Sequence, residues 1–282
     1  RFPITFETSW VLACDGGRST ARREMGIELT GSTQVERWIV LDLLDVAGEP
    51  EPFSSFYCNA ERPTVVVPGA KGRRRYEFML FDDEDPDVMT SLESITRLVA
   101  PYQDISRIKV RRSAVYTAHQ RVAETYRRGH VLLAGDAAHL MPPFAGQGLN
   151  AGIRDAAAAA WRLASVLLHG APNSLLDEYE MERKEHVTEM VKLSTRIGGI
   201  VMNTSKWQSS LRDLALRGSR FLPPVYDWLT QMRFLKQPHY RKGTVLRPDR
   251  ALPSVVANAV GAALPQPWVN DRDRKSGSAG MP

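Results

Sequence analysis

The run from His130 to Ala134, followed at once by Gly135 and Asp136, constrains this chain more than any other feature. A continuous apolar run without alternation suits a strand covered on both faces. A Pro/Gly-rich loop follows it. From Leu149 to His169 the sequence then reads as a helix, with Gly170 placed to end it. The alanines from Ala156 to Ala160 permit close packing of that helix. Strand, loop and helix in this order predict an open α/β sheet. Such sheets bind ligands just past the carboxyl ends of their strands, and Asp136 stands at that end.

The residues of the loop have a definite chemistry. A carboxylate at Asp136 can accept hydrogen bonds from a ribose or ribityl hydroxyl. Gly146 and Gly148 let backbone approach a flat ligand closely. A helix starting near Leu149 turns its unpaired N–H groups and positive dipole end toward that ligand. The same pieces can also form a turn that binds nothing, and a glycine loop alone is a weak sign. An acid at the strand end, the Pro142-Pro143 turn, two glycines and a helix start occur together here, which favours a binding site.

Elsewhere, Trp10 to Cys14 reads as a short strand, Asp15-Gly16-Gly17 as a turn and Ser19 to Met25 as a short helix. From Gly26 to about Lys109 the pattern becomes β-rich, at Arg37–Leu43, Thr64–Val67 and Arg75–Leu80, punctuated by Pro63, Pro68, Gly69 and Gly72. Ser91 to Ala100 predicts a helix stopped by Pro101. This block is expected to be a separate, mainly antiparallel sheet. Ser174 to Ile197 predicts a second long helix, with Leu176, Tyr179, Val187, Met190, Leu193 and Ile197 near helical spacing. Shorter helices between Trp207 and Leu235 are expected to break at Pro223-Pro224, and residues 270–282 read as a frayed polar tail.

Composition excludes several classes. The chain has 282 residues, 43% hydrophobic and 24% charged, which is ordinary for one large or two modest globular domains. It holds no apolar run of about 18 residues, so no membrane span is expected. Two cysteines, Cys14 and Cys58, make neither a disulfide framework nor a zinc cage, and reduced thiols in the cytoplasm are expected. No metal is expected. Net charge is +5, from short, scattered clusters at Arg22-Arg23, Arg73-Arg74-Arg75 and Arg127-Arg128. They lack interleaved aromatics, so no nucleic-acid partner is expected; they suit anionic cofactors and substrates. The first residue is Arg1, not Met, which suggests a missing N-terminal part.

The segment Gly135–Asn150 resembles the Gly-Asp motif of class A FAD-dependent aromatic hydroxylases, the para-hydroxybenzoate hydroxylase class. Asp15-Gly16-Gly17-Arg18-Ser19-Thr20-Ala21-Arg22 matches that class's Asp-Gly-x-x-Ser-x-x-Arg motif. The resemblance runs from about Trp10 to Glu185, and more loosely to Trp268. Within the class the chain is most similar to the 3-(3-hydroxyphenyl)propionate hydroxylases, through Phe56-Tyr57-Cys58, Arg62-Pro63-Thr64, Arg73 to Leu80 and Val115 to His119.

This resemblance implies an α/β fold: an FAD-binding Rossmann-like domain, incomplete here, with an inserted antiparallel substrate sheet and a helical C-terminal part. The expected division is 1–25 and 111–185 for FAD, 26–110 for the sheet, and 186–282 for the helical region and tail. It implies that Asp136, beside Gly135, binds the FAD ribose. Pro143, Gly146, Gly148, Leu149 and Asn150 border the flavin ring, and Asp15, Gly16 and Arg22 help bind FAD and the reduced nicotinamide.

The implied reaction uses NADH (or NADPH) to reduce FAD, then dioxygen to hydroxylate a phenolic acid ortho to its hydroxyl. Arg75 matches an arginine beside the flavin, and reads equally well as a surface residue. Tyr116 and His119 are candidates to face the phenol, although core or rim positions are commoner for such residues. His139 and Asp155 are expected to be structural. The class opens with a Gly-x-Gly-x-x-Gly turn that this sequence lacks, so weak FAD retention by this chain alone is expected. A polyketide hydroxylase, a flavin halogenase and a non-catalytic module are the alternatives, and homo-oligomer formation stays open.

Overall fold

The computed structural model describes residues 4–46, 53–104, 109–235, 237–245 and 253–262. The tail expected at 270–282 lies outside them. Val11–Ala13 forms β1 and Thr20–Glu24 forms α1. Four strands follow, β2 (Leu29–Leu44), β3 (Ser55–Tyr57), β4 (Thr64–Pro68) and β5 (Arg74–Leu80). Helices α2 (Pro86–Met89) and α3 (Leu92–Val99) precede the long β6 (Lys109–Ala123). Three short strands, β7 (Arg127–Arg128), β8 (Val131–Leu133) and β9 (His139–Leu140), lead to the helices. These are α4 (Gln147–His169), α5 (Leu175–Val201), α6 (Lys206–Ser219), α7 (Pro223–Thr230) and α8 (Ser254–Ala259).

The strands make two sheets. The smaller has the order β1-β8-β7, with β1 parallel to β8. Leu132 and Leu133 are fully buried in it, as their unbroken apolar run requires. The larger has the order β3-β4-β5-β2-β6-β9 and is antiparallel throughout. Because β6 pairs along most of β2, this sheet continues past residue 110 to Ala123 and takes in His139 and Leu140. As a division into domains, the four-part scheme stays a proposal, with its sheet part carried to Ala123.

Alternation sorts the large sheet into two faces. Ile39, Leu41, Leu43, Tyr76, Phe78 and Leu80 pack on Ile95, Leu98 and Val99 of α3. Trp38, Val65 and Met79 point the other way, onto Phe144 and Val201. A third core joins α4 and α5 to the small sheet through Ala137, Ala151, Ala159, Leu176, Tyr179 and Val187.

The helices between Trp207 and Leu235 break between Ser219 and Pro223, as the prolines predict, and Pro223 opens α7, since the first helical residue needs no N–H bond. One helix boundary differs from the sequence reading. Helix α4 begins at Gln147, two residues before Leu149, because Gly146 takes a left-handed conformation (φ 61°) that turns the chain into it. Among the described residues, no helix is long and apolar enough to cross a membrane.

Candidate functional site

Both motifs meet at the end of the small sheet. Asp15 follows β1, and its carboxylate accepts the amides of Thr20 and Ala21 at 2.7 and 3.1 Å. Hydrogen bonds, first from the Ser19 hydroxyl and then from these amides, hold that carboxyl below its ordinary pKa. Arg22 is buried. Its guanidinium donates to the carbonyl of Gly17 at 3.0 Å and to that of Ala137, 115 residues away, at 2.9 Å. Asp15 therefore caps its own helix, and Arg22 ties the Asp-Gly turn to the Gly-Asp turn. A Cβ at Gly16 (φ 84°) would meet nothing within 4 Å.

Gly135–Ala137 forms a single 3-10 turn beyond β8. Asp136 is exposed and makes no hydrogen bond among the described residues. The loop then passes Pro143, which opens a second 3-10 turn, and Gly146, into α4. No side chain caps the first turn of α4, and no acid lies in it. A Cβ at Gly146 would meet nothing within 4 Å, and one at Gly148 only Met141 Cγ at 3.9 Å. Leu149 is 76% exposed. Asn150 Nδ2 reaches back to the Gly146 carbonyl at 3.5 Å. An open carboxylate, an uncapped helix end and glycines facing free space suit a flat, anionic nucleotide. FAD fits these residues.

Behind the loop lies a buried polar brace. Asp155, on α4, accepts the Gly135 amide at 3.0 Å, His139 Nε2 at 2.6 Å and Arg183 Nε at 2.7 Å. Arg183, on α5, also donates to the Tyr240 hydroxyl at 3.0 Å. Burial alone would raise the Asp155 carboxyl; the His139 hydrogen bond and the charges of His139 and Arg183 outweigh it and hold the pKa down. Asp155 and His139 thus fix the position of the turn. Arg183 escaped the sequence reading, yet a signal existed. It stands four residues after Tyr179 and four before Val187, on the apolar stripe itself.

The loop reaches the large sheet through Phe144, whose ring lies 5.7 Å from that of Trp38. Gly198 of α5 allows this, since a Cβ there would stand 2.6 Å from Phe144. The sheet face carrying Trp38 also carries Asp42, Arg75, Glu77 and Tyr116. Arg75 is bidentate to Asp42, at 2.7 and 3.1 Å. Tyr116, half-buried opposite Trp38, packs on the Phe144 cluster. His119 lies three residues further along β6, on the opposite face by alternation, exposed and bonded to Thr33 Oγ1 at 2.9 Å. Tyr116 is thus beside the loop, and His119 is not.

Past Asp42 the same face opens into a cleft of about 660 Å³ lined by Arg73, Arg74, Arg75, Arg111 and Arg112. Asp42, Arg111 and Arg112 had no motif signal of their own, and Glu77 stood within the Arg73–Leu80 match without a role assigned to it.

This fold and site define a flavin-nucleotide-binding protein of mixed α/β type, with a large antiparallel sheet set against the nucleotide loop. The chain belongs to the FAD binding domain family, whose profile matches residues 3–194. It is 41% identical over 278 residues to a 3-(3-hydroxy-phenyl)propionate/3-hydroxycinnamic acid hydroxylase of Mycobacterium avium (strain 104), covering 97% of this chain and 47% of that protein. To a hydroxylase of the same name, numbered 2, from Burkholderia vietnamiensis (strain G4 / LMG 22486), it is 40% identical over 269 residues, covering 95% and 48%.

The chain therefore spans about half the length of the curated relatives it matches. Among solved structures it is similar to p-nitrophenol 4-monooxygenase PnpA from Pseudomonas putida DLL-E4, with TM-score 0.67 and 30% identity, covering 79% of this chain and 58% of that one. It is also similar to aklavinone-11 hydroxylase in complex with FAD and aklavinone, with TM-score 0.63 and 27% identity, covering 69% and 38%.

Proposed function

We propose that this chain forms the flavin-ring and substrate face of an FAD-dependent monooxygenase that hydroxylates a phenolic acid, such as 3-(3-hydroxyphenyl)propionate, ortho to its hydroxyl, with NADH (or NADPH) and dioxygen. The observation that carries this reading is the Phe144–Trp38 contact, which sets the nucleotide loop directly against one face of the large sheet. The names of the curated relatives, all phenols bearing an acid side chain, support the substrate class. When bound, FAD supplies hydride acceptance and oxygen activation.

The protein's residues have separate tasks. Asp136 accepts ribose hydroxyls, and the uncapped start of α4 stabilises negative charge on the flavin ring. Pro143, Gly146, Gly148, Leu149 and Asn150 border that ring. Asp15 and Arg22 act by holding the Asp-Gly turn, with Gly16 and Gly135 leaving room. Trp38, Met79 and Phe144 exclude water from the reacting ring. From Trp38 to Asp42, β2 advances four residues, roughly 13 Å at about 3.3 Å each. The acid side chain runs along this track toward the arginine cleft. Arg75 is already engaged by Asp42, so the carboxylate falls to Arg73, Arg111 and Arg112, whose side chains carry no hydrogen bond or close ion pair among the described residues.

The test follows NADH loss, oxygen uptake and product together in the holoenzyme. Coupled formation of the catechol is expected. Rapid NADH oxidation yielding only hydrogen peroxide would mark the compound as an effector. Activity confined to bulky polycyclic phenols would move the chain to the polyketide hydroxylases.

A further inference from the structure

We propose that Glu77 is the proton acceptor for the substrate phenol, hydrogen-bonded to its O–H on binding and taking the proton as the ring reacts. This rests on the function proposed above. Glu77 lies on β5, directly opposite Val40 of β2 and Val65 of β4. Both valines are buried, at 7% and 4% exposure. By alternation its side chain shares the face of Met79 and Arg75, which is the face the nucleotide loop covers.

The carboxylate is half-buried yet makes no hydrogen bond or ion pair among the described residues. Its one cationic neighbour, Arg75, directs both arms of its guanidinium at Asp42. A carboxylate left in apolar surroundings without a donor is costly, and a ligand that brings a donor removes the cost.

The charged and titratable groups facing Glu77 are Arg75 on its own strand, Asp42 on β2 and Tyr116 on β6. Burial pushes the Glu77 carboxyl above its ordinary range, with Arg75 opposing and Asp42 adding. That makes it a better base than an exposed glutamate. Tyr116 sits diagonally across Val40 from Glu77, opposite Trp38, and its hydroxyl has no partner among the described residues. Burial and the Glu77 charge push the Tyr116 phenol up, so it stays neutral and donates.

A substrate hydroxyl between the two would accept from Tyr116 and donate to Glu77. In the step, the phenol O–H bond breaks. The proton passes to a Glu77 oxygen, giving the neutral acid, and the electron pair stays on the phenol oxygen, enriching the ortho carbon.

The experiment measures binding, not turnover. Calorimetry on the holoenzyme without nicotinamide compares 3-(3-hydroxyphenyl)propionate with its methyl ether, 3-(3-methoxyphenyl)propionate. The wild type is expected to prefer the phenol about tenfold or more, as a hydrogen bond to a charged group allows. Glu77→Gln should reduce the preference to under threefold while ether affinity stays within twofold, which also shows that the variant is folded. Glu77→Asp should restore part of it, and the wild-type preference should fade as pH falls while that of Glu77→Gln stays flat.

An undiminished preference in Glu77→Gln would overturn the inference. So would a wild type that binds both compounds equally. A wild type that binds neither compound sinks the substrate reading first, and this inference with it.

Discussion

The two sides of the Gly-Asp loop treat charge in opposite ways. Behind it, between α4 and α5, the charged partners are buried. Asp155 and Arg183 are 0% exposed, and Arg162 meets Glu182 at 2.6 Å. Before it, on the sheet side, the side chains of Asp136, Glu77, Arg73, Arg111 and Arg112 make no hydrogen bond or close ion pair among the described residues. Satisfied charge in a low-dielectric interior makes a rigid and specific brace. Charge left unpaired at an accessible face is free to pair with a ligand group. The backing fixes the loop.

The sharpest way to break this contrast is to unpair the brace. Asp155→Ala leaves His139 and Arg183 buried without their acceptor, and should cost roughly 3–5 kcal/mol of stability. Chemical denaturation of wild type and variant measures it, and a loss under 1 kcal/mol would show that the brace is not structural. The pH dependence has a definite sign. Asp155 is held below its ordinary pKa, so its contribution is complete above the unfolded carboxylate range and is lost as pH falls through the lower folded value.

Asp136→Ala removes charge from the other side. Flavin affinity in the holoprotein should fall by about 1.5–3 kcal/mol. The melting temperature of the flavin-free protein should hardly move, because this exposed carboxylate makes no hydrogen bond or ion pair among the described residues. Equal flavin titration curves for wild type and variant would contradict it.

Gly198→Ala tests the joint between the two sides. Its Cβ would stand 2.6 Å from Phe144, so the ring must leave Trp38, at about 1–3 kcal/mol. Coupling of NADH oxidation to hydroxylation should drop along with stability. A variant that keeps both would uncouple the Phe144 contact from function.

His186 tests the backing in another way, since it is one of the brace's buried groups that lack a partner, with His139 Nδ1 and Arg162 Nε. It is buried with Nε2 unpartnered. Burial first, then the charges of Arg183 and Arg154, lower its pKa to about 4. Between the ordinary histidine value and about 4 the unfolded chain binds this proton and the folded chain does not, so stability falls as pH drops through that window. The slope is about 1.4 kcal/mol per pH unit. His186→Leu should remove that part of the slope, and an unchanged pH–stability curve would refute the assignment.

Much of this molecule was legible in sequence because the forces involved act within a few residues. Solid apolar runs mark covered strands, and Ser19 and Gly170 bound helices. The two motifs announced a nucleotide site for the same reason: strand end, turn and helix start are neighbours in the chain.

What sequence left open depended on pairings between distant segments. Alternation says that Tyr116 and His119 lie on opposite faces of β6, but only the register with β2 says which one meets Phe144. The sequence places Arg22 in the Asp-Gly motif, but only the fold shows that its guanidinium reaches the Ala137 carbonyl. Glu77 was one letter in a basic stretch until Val40 and Val65 closed around it and Asp42 occupied Arg75. Burial and partnership decide what a charged group does, and both are properties of packing, which no local pattern encodes.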